Sequence, residues 1–153
     1  MTIARRPACI CLLLCAALLM ATAVWAGPKD DITAGNAAAQ AKKYGQAIKL
    51  YTRAIDSGKL SPANLAVAYN NRGSAYDDNG QDAKAMSDFN QAIKIKPGYA
   101  EAYYNRSFAY EKKGMLPQAL KDIEKAMLLE PDDKYYTDRL EYLNHRLAGG
   151  IKQ

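Results

Sequence analysis

Two consecutive stretches, Ala66–Tyr99 (AVAYNNRGSAYDDNGQDAKAMSDFNQAIKIKPGY) and Ala100–Asp133 (AEAYYNRSFAYEKKGMLPQALKDIEKAMLLEPDD), align without a gap at a period of 34 residues. Tyr69/Tyr103, Asn71/Asn105, Arg72/Arg106, Tyr76/Tyr110, Gly80/Gly114, Ala85/Ala119, Asp88/Asp122, Ala92/Ala126 and Pro97/Pro131 recur in register. Within each copy, apolar residues fall at three- and four-residue spacing, the period of a helix with one buried face. Gly80 and Gly114 divide each copy into two amphipathic segments. Pro97 and Pro131 close them, because proline removes a backbone donor and turns the preceding residue away from helix. Each copy therefore reads as a helix-turn-helix pair, and one pair alone cannot cover its own apolar face.

Working outward, an earlier and degraded copy begins near Pro28. Its second half, YGQAIKLYTRAI (Tyr44–Ile55), aligns Ala47 with Ala85 and Ala54 with Ala92. That offset is 38 residues, so four extra residues sit in the DSGKLSPANL connection. Ser61-Pro62 opens the next copy as a helix cap followed by proline in the first turn. Beyond Asp133, Tyr136, Leu140, Leu143 and Leu147 lie on one stripe of a closing helix, with Asp138, Arg139, Glu141 and Arg146 largely off it. The expectation is an all-α fold of seven helices: pairs over about 28–61, 66–99 and 100–133, then a closing helix over 134–147. Residues 149–153 read as a flexible tail. Ala85, Ala92, Gly73, Ala119, Ala126 and Ser107 allow close helix approach, and Tyr69, Tyr76, Phe89, Tyr103, Tyr110 and Ile123 fill the space between layers.

The period, the aromatic–small–aromatic first helix, the Ala-aromatic-Ala second helix and the terminal proline resemble the tetratricopeptide repeat family. The match is close over Ala66–Asp133 and partial over Pro28–Leu65. The resemblance implies a right-handed α-solenoid with a concave, protein-binding face. In the first copy Asp31 stands where an aromatic residue is usual, which predicts an atypical, frayed first helix.

The N-terminus reads separately. Arg5 and Arg6 precede the apolar run Cys9–Met20, and Val24-Trp25-Ala26 offers small or modest side chains at a cleavage site before Gly27-Pro28. This is the layout of a signal peptide over 1–26, and it predicts an exported, periplasmic or secreted protein with a repeat domain over 27–148. The run is short for a transmembrane helix, and membrane association is expected only if that segment is kept as an anchor. All three cysteines precede residue 27, so the rest of the chain has no thiol for a disulfide or a metal. Without Arg5 and Arg6 there remain 19 basic and 16 acidic side chains, a net +3, evenly interspersed. This balance does not point to nucleic acid.

No catalytic group emerges. His145 is the only histidine, and the serines lack a neighbouring base. No phosphate loop and no metal-ligand spacing are present. The reading is a protein without enzymatic activity, cofactor or small-molecule substrate.

Arg72 and Arg106 occupy a first-helix position often held by leucine in the family, and Asp88 and Asp122 follow 16 residues later. The first copy has Ala34 and Leu50 at these places, so the two charges appear and vanish together. Arg72–Asp88 and Arg106–Asp122 are therefore expected to bridge the two helices of their own repeats. The family's inward face, transferred to this chain, presents Ile32, Asn36, Asn70, Asn71, Ser74 and Asp77. The third copy adds Glu101, Tyr104, Asn105, Phe108 and Lys112. Asn71 and Asn105 resemble the asparagine ladder by which some long members of the family hold extended peptides, since an amide both donates and accepts. The alternative is that these asparagines are solvated or bond neighbouring helices. Family members that clamp the C-terminal carboxylate of chaperones add three basic residues to two asparagines. Asn36 and Asn71 match the asparagines, but Ile32, Glu101 and Asn105 fill the basic positions, which argues against that ligand. Asp77, Asp78, Glu101 and Glu111 tilt the groove toward neutral or basic segments. The leading functional expectation is an envelope adaptor that holds a protein segment in this groove. The alternative is an assembly component that self-associates through its solenoid ends or the closing helix (Tyr135, Tyr136, Tyr142).

Overall fold

The structure, a computed structural model, describes residues 27–150. The leader expected over 1–26 lies outside the described residues, as do the last three residues of the expected tail. Among the described residues there are seven helices and no strand: α1 (Pro28–Gln40), α2 (Tyr44–Asp56), α3 (Pro62–Asp78), α4 (Asp82–Ile95), α5 (Ala100–Lys112), α6 (Leu116–Leu129) and α7 (Lys134–Gly150). Each helix packs on its chain neighbour, and α1 also touches α3, as α3 touches α5. The molecule is thus a solenoid of three stacked pairs whose first helices form one continuous layer, with α7 closing the end.

The same turn ends the first helix of every pair. The residue two past the end of α3 or α5, Gly80 or Gly114, has φ +72°, a left-handed conformation that glycine adopts without steric cost. Its successor donates back to the helix, Gln81 N to Tyr76 O at 2.8 Å and Met115 N to Tyr110 O at 2.9 Å. Repeat one has no glycine there. Lys42 takes φ 57°, and Lys43 N still reaches Ala38 O at 2.9 Å. The packing of the pair therefore imposes the turn even on a residue that resists it.

Alanines at repeating positions let the backbones approach. Ala47, Ala54, Ala66, Ala85, Ala92, Ala100, Ala119 and Ala126 are fully buried. The largest fully buried side chain of each second helix is Tyr51, Phe89 or Ile123, and each such burial is worth roughly 1.5–3 kcal/mol. The facing residue is matched to its bulk. A Cβ on Gly35 would lie 2.6 Å from the Tyr51 ring, and one on Gly73 would lie 2.8 Å from the Phe89 ring. At the corresponding positions the third repeat carries Ser107 and the smaller Ile123.

Three expectations change. Helix α1 is regular from Pro28, not frayed, because Asp31 is buried and accepts two hydrogen bonds from Arg53 of α2, one of them from Nε at 2.7 Å. The first repeat thus has its own charge pair, with the acid on the first helix and the base on the second. It lies at other positions than Arg72–Asp88 and Arg106–Asp122, whose places are held here by Ala34 and Leu50. Arg139, placed off the buried stripe of α7, is only 7% exposed, because its long stem and guanidinium lie across Phe108. Finally, α7 continues through Gly149 to Gly150, three residues beyond its expected end at Leu147. Glycine lowers helix propensity by about 1 kcal/mol without forbidding the conformation.

Candidate functional site

The residues assigned to the groove lie on the layer formed by α1, α3 and α5, where they bond one another across the repeats. Asn36 Oδ1 accepts from Tyr51 Oη at 2.7 Å and from Asn71 Nδ2 at 2.9 Å. Asn105 Nδ2 donates to Asn70 Oδ1 at 3.0 Å and to Ser74 Oγ at 3.4 Å. Asn70 was expected on the open face. It is 0% exposed and spends its amide on Glu101 Oε1 at 3.1 Å, Asn71 Oδ1 at 3.4 Å and Tyr99 Oη at 3.5 Å. A buried amide must find partners inside the protein, and Asn70 finds them in Asn71 and Tyr99 of its own repeat and in Glu101 and Asn105 of the next. It is a strut of the solenoid and not a ligand contact. Burial also pushes the Tyr51 hydroxyl up to about 12.

Asn71, Ser74, Asn105 and Phe108 remain partly open. Ser74, Asp77, Asp78, Asn105 and Phe108, floored by Phe89, line a cleft of about 150 Å³ between α3 and α5. Tyr104 packs edge-on to Phe108, ring centroids 5.1 Å apart. The Arg139 guanidinium covers Phe108 at 3.6 Å, so α7 shapes one wall of this region.

The acids of this face are not equally free. Asp77 Oδ1 is held by Lys112 Nζ at 2.6 Å, a bond from the third repeat to the second. Glu111 takes Arg139 Nη1 at 2.7 Å, Arg146 Nη1 at 2.5 Å and the Tyr142 hydroxyl at 2.9 Å. Burial works to raise the Glu111 carboxyl, but these hydrogen bonds and guanidinium charges prevail and hold it below its ordinary value. The acidic tilt expected from Asp77 and Glu111 is therefore neutralised within the chain. Glu101 is exposed and bonds to neutral donors.

On the other side of the helix pairs, Arg72 is bidentate to Asp88, with Nε–Oδ2 2.7 Å and Nη2–Oδ1 2.9 Å. Arg106 holds Asp122 in the same way, with both bonds at 2.7 Å. Each guanidinium also reaches back to the second helix of the preceding repeat, Arg72 to Thr52 Oγ1 at 3.1 Å and Arg106 to Asn90 Oδ1 at 2.7 Å. Tyr69 and Tyr76 flank Arg72, as Tyr103 and Tyr110 flank Arg106, at 5.3–5.8 Å. These tyrosines are half-buried walls around a cation rather than interior filler.

A larger cavity escaped the sequence reading. It measures about 510 Å³ and sits where the turns before α5 and α7 meet, walled by Tyr99, Tyr104, Tyr135 and Tyr136 with Glu101, Glu130 and Asp133. The signal was present as Glu130-Pro-Asp-Asp beside Tyr135-Tyr136, but nothing in the period places Tyr99 next to them. Among the described residues, no group of three His, Cys, Asp or Glu is arranged to hold a metal, and no helix is long and apolar enough to cross a membrane.

Stacked helix pairs with this internal bonding define a helical-repeat protein, and comparison with known proteins identifies the kind. Family models described as "TPR repeat" and "Tetratricopeptide repeat" match residues 73–114 and 100–133. The solved first TPR of Spaghetti (RPAP3), bound to the HSP90 peptide SRMEEVD, is 32% identical with a TM-score of 0.71, over 79% of this chain and 93% of that one. This chain belongs to the tetratricopeptide repeat family. It is also 46% identical over 63 residues to a DnaJ homolog subfamily C member 7 homolog of Schizosaccharomyces pombe (41% of this chain, 13% of the relative). To the heat-shock protein cognate co-chaperone sgt12 of Aspergillus fumigatus it is 41% identical over 67 residues (44% and 18%). The chain thus spans under a fifth of the length of these two relatives. They correct the expected location: the repeats match co-chaperones rather than exported, periplasmic proteins.

Proposed function

We propose that this chain is a non-enzymatic adaptor that holds a segment of another protein against the layer of α1, α3 and α5. The carrying observation is the cleft beside Ser74, Asn105 and Phe108, where partly open amides and a ring edge adjoin a rigid, internally bonded wall. Preorganised donors and acceptors of this kind suit a peptide backbone, because they are not reordered on binding. The peptide-bound RPAP3 repeat, similar over most of this chain, supports the same use of the fold.

The ligand differs in charge from SRMEEVD. Ile32, Glu101 and Asn105 stand where chaperone-tail clamps carry basic residues, and Glu101 would repel an acidic tail. The segment is neutral or basic. The rival reading, self-association through the tyrosines of α7, loses part of its surface because Tyr136 is buried.

The test is selection of peptides from a random displayed library on the full chain, followed by titration calorimetry. Neutral or basic peptides are expected, with affinities on the order of micromolar for so small a groove. SRMEEVD should fail to compete at tenfold excess. Joint Asn71→Ala and Ser74→Ala should weaken binding about tenfold at an unchanged melting temperature, since Asn36 and Asn105 keep their other partners. Equal binding by that variant, or enrichment of no peptide, removes the adaptor reading.

A further inference from the structure

The cavity between the turns before α5 and α7 combines two features. Its walls are aromatic: Tyr104 and Tyr136 lie 5.2 Å apart at 44°, and Tyr135, 73% exposed, stands at the mouth. Its polar groups are carboxylates that form no ion pair. Among the described residues, no Lys, Arg or His nitrogen lies within 4.0 Å of Glu101, Glu130 or Asp133, whereas Asp77 and Glu111 on the neighbouring face are both paired.

Neutral donors hold these acids in place. Tyr99 Oη donates to Glu101 Oε2 at 3.1 Å, Tyr136 Oη to Glu130 Oε2 at 3.4 Å, and Tyr135 N to Asp133 Oδ1 at 2.8 Å. Such bonds orient a carboxylate and leave its charge intact. The field reaches the rings as well. Burial first, and then the charges of Glu101 and Glu130, push the Tyr99 and Tyr136 hydroxyls well above their ordinary value.

A cation is the complement of this cavity, and its size and shape select the kind. The three acids are not grouped to coordinate a metal ion, and an open cleft of about 510 Å³ walled by tyrosines suits an ammonium or guanidinium on an aliphatic stem. The chain supplies an internal precedent at the same turn, since Lys96 Nζ sits 4.7 Å over the Tyr99 ring. We propose that this aromatic and acidic cavity receives a basic side chain of the segment bound along α1, α3 and α5, lysine being the case tested. This rests on the adaptor reading and adds to it a specificity pocket at the α7 end, next to Tyr104.

The probe is a blocked pentapeptide, Gly-Ala-Lys-Ala-Gly, titrated into the isotopically labelled full chain by NMR beside its norleucine and glutamate counterparts. The lysine peptide should shift signals of Tyr104, Tyr135 and Tyr136 and bind about fivefold or more tightly than the norleucine peptide, a margin that shrinks as salt is raised. The glutamate peptide should shift nothing there. Glu101→Gln with Glu130→Gln should erase the preference for lysine, and Tyr135→Ala, an exposed wall, should weaken it without changing the melting temperature. Equal binding of the lysine and norleucine peptides, or lysine-dependent shifts confined to Ser74 and Phe108, overturns the pocket. Library peptides that still require Asn71 and Ser74 would then keep the adaptor reading standing. Silence from every peptide would remove both.

Discussion

Arginine is the residue around which this solenoid is organised. Arg72 and Arg106 each bind an aspartate of their own repeat with two hydrogen bonds and a side chain of the preceding repeat with a third, between two tyrosine faces. The planar fork of the guanidinium permits all three bonds at once, which a lysine ammonium could not do in this geometry. Asp88 and Asp122 are 5% and 4% exposed, so removal of one partner strands the other out of water. Asp122→Ala should cost on the order of 3 kcal/mol, while Arg106→Met with Asp122→Leu should recover most of that loss, as replacement of buried pairs by apolar residues often does. Urea denaturation of Asp122→Ala, of Arg106→Met and Asp122→Leu singly, and of the double variant measures the loss and the coupling. The sequence made the within-repeat pair legible through the matched 16-residue spacing. It did not show Thr52 or Asn90, because contacts between repeats depend on how far each pair is rotated on its neighbour.

At the scale of the helix pair, the governing relation is between the glycine or serine of the first helix and the bulky residue of the second. Gly35 faces Tyr51 and Gly73 faces Phe89, and the third repeat has Ser107 and Ile123 at the corresponding positions. Propensity alone favours Gly73→Ala by about 1 kcal/mol in a helix interior. The Phe89 ring, 2.8 Å from the new Cβ, reverses the sign. Gly73→Ala should destabilise by about 1–3 kcal/mol, as overpacked cores do. Adding Phe89→Ile, in imitation of the third repeat, should restore most of it. Thermal melts of the three proteins decide the point. An unchanged melting temperature for Gly73→Ala would mean that the helices separate freely, against the packing described.

For the whole molecule, α7 determines how the stack ends. Leu143 and Tyr136 bury its apolar side, and Glu111 gathers Arg139, Arg146 and Tyr142 onto α5. Because the folded Glu111 carboxyl is held below its ordinary value, its stabilising contribution is present above the unfolded carboxylate range, near pH 4.3. That contribution is lost as the pH falls through the lower folded value. Amide exchange should therefore show α7 loosening selectively in acid while α3 and α4 stay protected. Glu111→Gln should loosen α7 already at neutral pH and remove most of the acid dependence. Coincident loosening of all helices would instead mark a single cooperative unit.

The sequence by itself determined the repeat length, the helix pairs, the closing helix and the Arg–Asp pairs within repeats. Each of these is local or periodic, and periodicity survives in a linear text. Only the tertiary structure decided that Asn70 is an internal strut, that Asp31 pairs with Arg53, that Arg139 is buried over Phe108, and that four tyrosines and three unpaired carboxylates line one open cleft. Those facts turn on the angle and stagger between successive pairs, which bring side chains 22 to 35 residues apart into contact. The physical reason is that burial and charge compensation belong to the space between elements, and no single helix carries that information.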